Sequence, residues 1–407
     1  MVTVVSRLAA FMALAVAGNA AADGLAVVPS DLGERVIVFP DTAKYETLVV
    51  DLHTHSVFSD GHVWPKIRVE EALRDGLDAL AITEHLEWQP HLADLPHPDR
   101  NRSFQEARDA ARDSGLIVIN GSEITRDDPV GHLNAVMLAD ANSLFHVDEP
   151  PTDASGASSH EEMADAYYAA ANLWPAQNAV DEANRQGAFV FWNHSWWRDE
   201  TTDGIARIAD FHSANAKAGK LHGIEVANTG NYSEEAFQIA LDHDLAVIGV
   251  SDVHDLIDWD YEPHRGGHRP VTLLLAKERS IEGIREALFA KRTVVWFRNL
   301  LIGREEQVQP LLEASLTVTG AKYWPEGDVA DIVISNSSDA TFQLKNTSEY
   351  TFMDFADRIE VAPNSSLKLS VKPGERRAEF RFRFEVENAL VAPKTHPTIT
   401  LIAKPIP

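Results

Sequence analysis

Two textures divide the chain. From residue 47 to 299, short strand-like segments, most of them continuous apolar runs, occur at 48–52, 79–83, 116–120, 134–138, 189–192, 223–227, 246–250, 271–275 and 293–297. Runs of that length without alternation predict strands covered on both faces. Helix-like segments lie between them at 66–75, 104–114, 176–186, 233–243 and 281–291. The first three stop at Gly76, Gly115 and Gly187, where glycine accepts the left-handed backbone that ends a helix. Strand then helix, repeated over this length, predicts a parallel α/β barrel, with an open doubly wound sheet as the alternative. After Pro310 helical periodicity disappears. The segments 314–318, 331–335, 341–345, 366–371, 379–386 and 398–403 are short, alternating or β-branched. Phe380-Arg-Phe-Arg-Phe-Glu-Val386 gives one buried face and one wet face. These predict an immunoglobulin-like β-sandwich. The expected organisation is a leader over 1–22, a barrel over 47–305 and a sandwich over 310–407.

The leader rests on Arg7 as the only charged side chain before an apolar run over 8–18, then Ala20-Ala21-Ala22 ahead of Asp23. That is the pattern of a signal peptide, and it predicts a periplasmic or secreted protein. The run is shorter than the roughly 20 residues a transmembrane helix needs, and no later segment is long and apolar enough to span a bilayer.

Composition narrows the chemistry. The 407 residues include no cysteine, which excludes disulfides, thiolate ligands, a cysteine nucleophile and a lipoprotein anchor. Any metal site must use His, Asp and Glu, and the chain has 17 histidines. Against 36 Lys and Arg stand 62 Asp and Glu, a formal charge of −26. Long-range repulsion disfavours nucleic acid and anionic membranes as partners. A small anionic substrate stays open, because a bound metal can set the local field. Nothing in the sequence sets the oligomeric state.

Imidazoles and carboxylates gather where strands end. The first strand leads into Asp51-Leu-His53-Thr-His55 and the next into Thr83-Glu84-His85. Others lead into Asn120-Gly-Ser-Glu123, Asn193-His194 and Val250-Ser-Asp252-Val-His254, and His132 opens the strand at 134–138. Strand C-termini are where barrel enzymes place their sites. His53 and His55 are two apart, so both project to one side, and Asp252 and His254 repeat the spacing. A donor set of imidazole and carboxylate suits Zn, Mn or Fe(II) better than Ca or Mg.

With Ser59-Asp60-Gly61 added, these motifs resemble the PHP (polymerase and histidinol phosphatase) superfamily of metal-dependent phosphoesterases, over about Leu48 to Asn299. The resemblance implies a distorted seven-stranded (β/α) barrel and two to three divalent metal ions. It implies one ion on His53, His55, Glu123 and Asp252. A second would sit on Glu123, His132 and His194, and a third on Asp60, His85 and His254. Phe58-Ser-Asp-Gly-His-Val-Trp64, Phe191-Trp-Asn-His194 and Gly267-His-Arg-Pro-Val271, with the β-rich tail, resemble secreted bacterial phosphodiesterases of this superfamily.

The expected reaction is hydrolysis of small phosphodiesters, such as alkyl or aryl organophosphate or phosphonate diesters, by a hydroxide bridging two ions. Glu123 and Asp252 are the candidate catalytic carboxylates. His268, or else His97, is the candidate acid for the leaving group. Arg126 and Arg269 are candidates to grip phosphate oxygens, and Trp196, beside Trp197, to wall an ester pocket. Three divalent ions against Asp60, Glu123 and Asp252 would leave a locally positive mouth. A phosphomonoesterase with the same ions, an amidohydrolase-type carbon–nitrogen hydrolase and a non-catalytic metal-binding protein remain alternatives. No lysine stands where a carboxylated lysine bridge would be expected, which weighs against the amidohydrolase.

Overall fold

A computed structural model describes residues 36–91, 95, 99–148 and 159–406. The leader segment and His97 lie outside those residues. The strands of the first part are β1 (Glu46–Asp51), β2 (Ala79–Ile82), β3 (Ile117–Ile124), β4 (Leu133–Val136), β5 (Phe189–Trp192), β6 (Gly223–Asn228), β7 (Asn231–Tyr232), β8 (Ala246–Val250), β9 (Val271–Ala276), β10 (Thr293–Phe297) and β11 (Leu300–Gly303). Those of the second part are β12 (Leu316–Tyr323), β13 (Ala330–Asn336), β14 (Phe342–Asn346), β15 (Arg358–Val361), β16 (Ser366–Val371), β17 (Phe380–Val386), β18 (Ala389–Leu390) and β19 (Thr398–Ala403). The helices are α1 (Pro65–Arg74), α2 (Arg102–Ala111), α3 (His160–Ala171), α4 (Ala176–Arg185), α5 (Asp210–Lys217), α6 (Glu234–Asp242), α7 (Ile257–Asp260), α8 (Ile281–Phe289) and α9 (Glu305–Ser315).

One 12-stranded sheet runs β18-β11-β10-β9-β1-β2-β3-β4-β5-β6-β7, with β8 paired to β6. It curls until β8 meets β9. Thr272 Oγ1 on β9 accepts from Gly249 N (2.9 Å) and donates to Gly249 O (2.8 Å). Just beyond, Thr54 and Val253 form a parallel bridge. The class is the expected distorted barrel, but with more strands than seven.

Nor is the barrel all parallel. β1/β2, β2/β3, β5/β6 and β6/β8 are parallel, whereas β3/β4, β4/β5, β1/β9 and β9/β10 are antiparallel. Only residues 125–132 separate β3 from β4, too few for a parallel crossover of about a dozen residues or more. β10 and β11 turn back through Arg298 and Asn299, whose φ angles of 46° and 71° are both left-handed, as a tight two-residue hairpin requires.

The second part is the expected immunoglobulin-like sandwich, with sheets ordered β12-β13-β16 and β15-β14-β17-β19. On β17, Phe380, Phe382 and Phe384 are buried while Arg381 and Arg383 face water. The expectation of no helix beyond Pro310 is corrected. α9 carries Pro310 in its interior, giving up a backbone donor there. Its Val308, Leu311 and Leu312 share one apolar core with Phe342, Phe380 and Phe382. Asn299 and Asn388 clasp the two parts together. Asn299 Nδ2 donates to Thr341 O (2.9 Å), and Asn388 Nδ2 donates to Asn299 O (3.0 Å). No helix among the described residues is long and apolar enough to cross a membrane.

Candidate metal centre

The strand ends converge. His53 Nε2 lies 2.9 Å from His55 Nε2, 3.4 Å from Glu123 Oε2 and 3.2 Å from Asp252 Oδ1. His55 Nε2 lies 3.3 Å from Glu123 Oε2 and 3.2 Å from Asp252 Oδ1. Ligands about 2.0–2.2 Å from a shared ion stand about 3.0–3.5 Å from one another, so His53, His55 and Asp252 outline one coordination group, with Glu123 beside both imidazoles.

Buried Arg68 holds the two His-containing segments together. Its Nε donates to His55 O (2.8 Å), and its terminal nitrogens donate to the carbonyls of Val253 (3.1 Å), His254 (2.7 Å) and Asp255 (2.6 Å) and to Glu71 (2.7 Å). All five guanidinium donors are spent. Asp252 takes a left-handed φ of 52°, a backbone state rare outside glycine and often held at functional sites.

A second group adjoins the first. Asp60 Oδ2 lies 3.1 Å from His254 Nε2 and 3.5 Å from His85 Nε2. Gly61 makes that turn possible, because a Cβ there would sit 2.8 Å from the carbonyl carbon of His55. Glu84 accepts from Ser56 N (3.0 Å) and Ser59 Oγ (2.6 Å) and so braces the same turn from behind.

On the other side, Glu123 Oε1 lies 3.0 Å from His132 Nδ1 and 3.5 Å from His194 Nε2. Asn193 Nδ2 donates to the same oxygen (2.7 Å). Behind the shell, fully buried Glu225 faces His53 Nδ1 (2.8 Å) and accepts from His194 N and Asn228 Nδ2, both at 2.8 Å. Carboxylate behind imidazole fixes the tautomer that leaves Nε2 free to ligate.

The structure therefore brings together all nine histidines and carboxylates singled out from the sequence. Four groups of His, Asp and Glu could each share an ion: His55, Asp60, His85 and His254; His53, His55 and Asp252; His85, Glu123 and His132; His132, His194 and Glu200. Glu123 Oε2 and His194 Nδ1 are buried without a hydrogen-bond partner. Imidazole nitrogens and carboxylate oxygens crowded into one buried cluster fit divalent cations. Burial opposes charge on Glu123, yet the imidazoles of His85, His53 and His132 outweigh it and hold the carboxyl well below its ordinary range. Burial also lowers His194, but Glu123 and Asp252 raise it further, to about 9. An ion entering this cluster must displace protons, so metal affinity rises with pH.

Glu225→Gln should weaken metal binding by about 10- to 100-fold, the usual cost of losing a carboxylate behind a ligating imidazole. Competition against a chromogenic chelator reads it. Unchanged affinity would show that Glu225 does not support His53.

A cavity of about 1300 Å³ opens over the cluster. Trp197 stands with its ring centre 5.5 Å from that of His132 and 5.4 Å from that of His194, and Trp88 is 5.8 Å from His85. Half-buried Trp196 also lines it, against the barrel core.

Four expectations change. Arg269 is fully buried and paired with Asp51 (3.2 Å) and Asp75 (2.7 Å), so it braces the barrel and does not line the cavity. His268 is also outside it. Its ring stacks on Trp296 at 3.5 Å, its Nδ1 faces Arg269 O, and burial lowers it to about 4, leaving it neutral and unable to act as an acid near pH 7. Arg126 lines the cavity but its guanidinium is engaged by buried Glu87 and Thr125 O. Nor is the mouth positive. Asp127, Asp128, Asp165, Asp199, Asp203 and Glu235 line it against Arg126 and Arg198, so any positive field is confined to the floor.

Glu225 and Glu200 were not found from the sequence. A glutamate inside Gly223-Ile-Glu-Val-Ala-Asn228 is a charge in a buried strand, which is itself a signal. Glu200 lies in the turn after β5, 3.7 Å from His194 Nδ1 and 3.9 Å from His132 Nε2, and burial raises its carboxyl to about 7.

A PHP-domain model matches residues 51–189, and an Ig-like-domain model matches residues 316–402. The chain is 37% identical to a solved two-domain protein from Bacteroides vulgatus containing a predicted PHP-like metal-dependent phosphoesterase, with 90% of this chain and 98% of that one covered and a TM-score of 0.78. A Bifidobacterium adolescentis protein described as a putative metal-dependent phosphoesterase aligns at 23% identity over 51% of this chain and 88% of its own, TM-score 0.36. An amidohydrolase from Chromobacterium violaceum aligns at 18% over 51% and 87%, TM-score 0.32. No curated protein matches the chain.

Proposed function

The chain belongs to the PHP family of metal-dependent phosphoesterases, and on that premise we propose that it is a phosphodiesterase for small esters carrying one negative charge, of the alkyl or aryl phosphate or phosphonate type. His53, His55, Glu123 and Asp252 would hold one divalent ion, Glu123, His132 and His194 a second, and Asp60, His85 and His254 a third. Mn, Zn and Fe(II) suit those donors. Bound there, such ions supply a water activated near neutral pH and neutralise charge on the phosphoryl oxygens.

The chain's own residues do the rest. Asn193 and Glu225 fix Glu123 and His53 before substrate arrives. Trp88 and Trp197 border the cluster and exclude water from the ester's side. Arg68 keeps the ligand segments from drifting apart.

The charge of the cavity lining carries the choice of diester over monoester. A monoester dianion would meet Arg126, already engaged by Glu87, and Arg198, against the six rim carboxylates and Glu200. A diester monoanion meets half that repulsion and gains apolar contact with the tryptophans. Matched aryl monoesters and alkyl aryl diesters should therefore differ at least tenfold in kcat/KM in favour of the diester, about 1.4 kcal/mol of transition-state stabilisation. A tenfold monoester advantage would make the protein a phosphatase. Export is part of the same proposal. Intact mass of periplasmic protein should correspond to a chain beginning near Asp23, and retention of Met1 would refute it.

A further inference from the structure

The outer wall of the cavity has a chemistry that the metal cluster does not account for. Three elements build it. The loop after β3 supplies Asp127 and Asp128, α3 supplies Asp165 and Tyr168, and the turn after β5 supplies Trp197 and Asp199. Asp127 accepts from Tyr168 Oη at 3.0 Å. Among the described residues, Asp128, Asp165 and Asp199 pair with no cation, although Arg198 is next in the chain to Asp199. Glu200, with its side chain more than nine-tenths buried, lines the same space where the wall meets the cluster; its Oε1 has no hydrogen-bond partner and stands 3.7 Å from His194 Nδ1 and 3.9 Å from His132 Nε2. Trp197 is 43% exposed and presents its ring there. None of Asp127, Asp128, Asp165 and Asp199 falls in a group of His, Asp and Glu that could share a metal ion. Their charge lies on the same wall as the Tyr168 and Trp197 rings. A spread negative field beside open ring faces suits a bulky, weakly hydrated organic cation better than a compact inorganic one.

We propose that this wall receives an alkylammonium arm of the diester, so that the preferred substrate is a zwitterion with its phosphoryl group on the cluster and its cation against Trp197, Tyr168 and the rim aspartates. The inference rests on the phosphodiesterase reading and names the substrate class for the same site. The two ends of such a substrate match the two ends of the cavity. The phosphoryl group needs the cationic floor, and the ammonium group relieves repulsion along the rim that any neutral arm leaves in place.

The test compares two esters of equal shape, 4-nitrophenyl phosphorylcholine and 4-nitrophenyl 3,3-dimethylbutyl phosphate, with the metal-loaded full chain. The choline ester should be preferred by about tenfold or more in kcat/KM at low ionic strength. That preference should shrink as salt is raised through about 0.5 M, because exposed carboxylates are screened within several ångströms there. Asp165→Asn combined with Asp199→Asn should draw the ratio toward one. A ratio below about twofold, with both diesters hydrolysed, overturns the cationic arm and leaves the phosphodiesterase standing. Hydrolysis of 4-nitrophenyl phosphate with neither diester cleaved overturns the phosphodiesterase reading and this inference with it. A preference that ignores both salt and the paired substitution also overturns it, since the aspartates would not be its source.

Discussion

Glu123→Gln is expected to remove at least about 10³-fold of turnover and to lower bound metal together with it. Both oxygens of Glu123 are committed. Oε2 faces His53 and His55 (3.4 and 3.3 Å) while Oε1 faces His132 and His194 (3.0 and 3.5 Å). A glutamine keeps the shape but offers one acceptor, and its amide hydrogens would point at whatever the other side holds. It also removes the negative charge that lies between two groups of imidazoles. Metal analysis beside a turnover assay reads both effects. A variant with full metal content and near wild-type turnover would show that Glu123 does not join the two sides.

The second large effect separates the groups. Asp60 contacts His254, His85 and, at 3.6 Å, His55, but neither His132 nor His194, so it stands apart from the far side of the pair that Glu123 joins. Asp60→Ala should cost about one equivalent of metal and about 10²–10³-fold in kcat, by removing charge stabilisation at the phosphoryl group. The ions on the Glu123 side should stay. Titration with a chelator and a metal count would show two equivalents retained. Loss of every ion together would mean that the cluster is one cooperative unit rather than separable sites. His85→Ala is a less clean test, because His85 Nδ1 also lies 2.9 Å from Glu123 Oε2.

Seven of the nine cluster residues were legible because they sit at or just past a strand end, where an i, i+2 spacing turns both side chains to one side; His132 just precedes β4, and Asp60, in a turn well past β1, entered only through the family resemblance. The supports were not. Arg68 looks like an ordinary helix arginine in Pro65–Arg74. Only the fold brings the carbonyls of residues 253–255 to it. Arg269 was read as a phosphate ligand because its partners, Asp51 and Asp75, are about two hundred positions away in sequence. The strand and helix order was visible, but strand direction was not. Apolar runs look the same whether neighbours run parallel or antiparallel, and only the short β3–β4 connection hinted at a hairpin. Pro310 marked a break in sequence, whereas buried Val308, Leu311 and Leu312 carry α9 through it.

The central claim is that this chain hydrolyses phosphodiesters through more than one divalent ion held by the strand-end cluster. Titrating metal-free protein with Mn²⁺ while following hydrolysis of bis(4-nitrophenyl) phosphate tests it most directly. The account predicts no turnover in metal-free protein, little until more than one equivalent has bound, and a plateau at two to three equivalents. Full activity without metal, or a plateau at one equivalent, would contradict it.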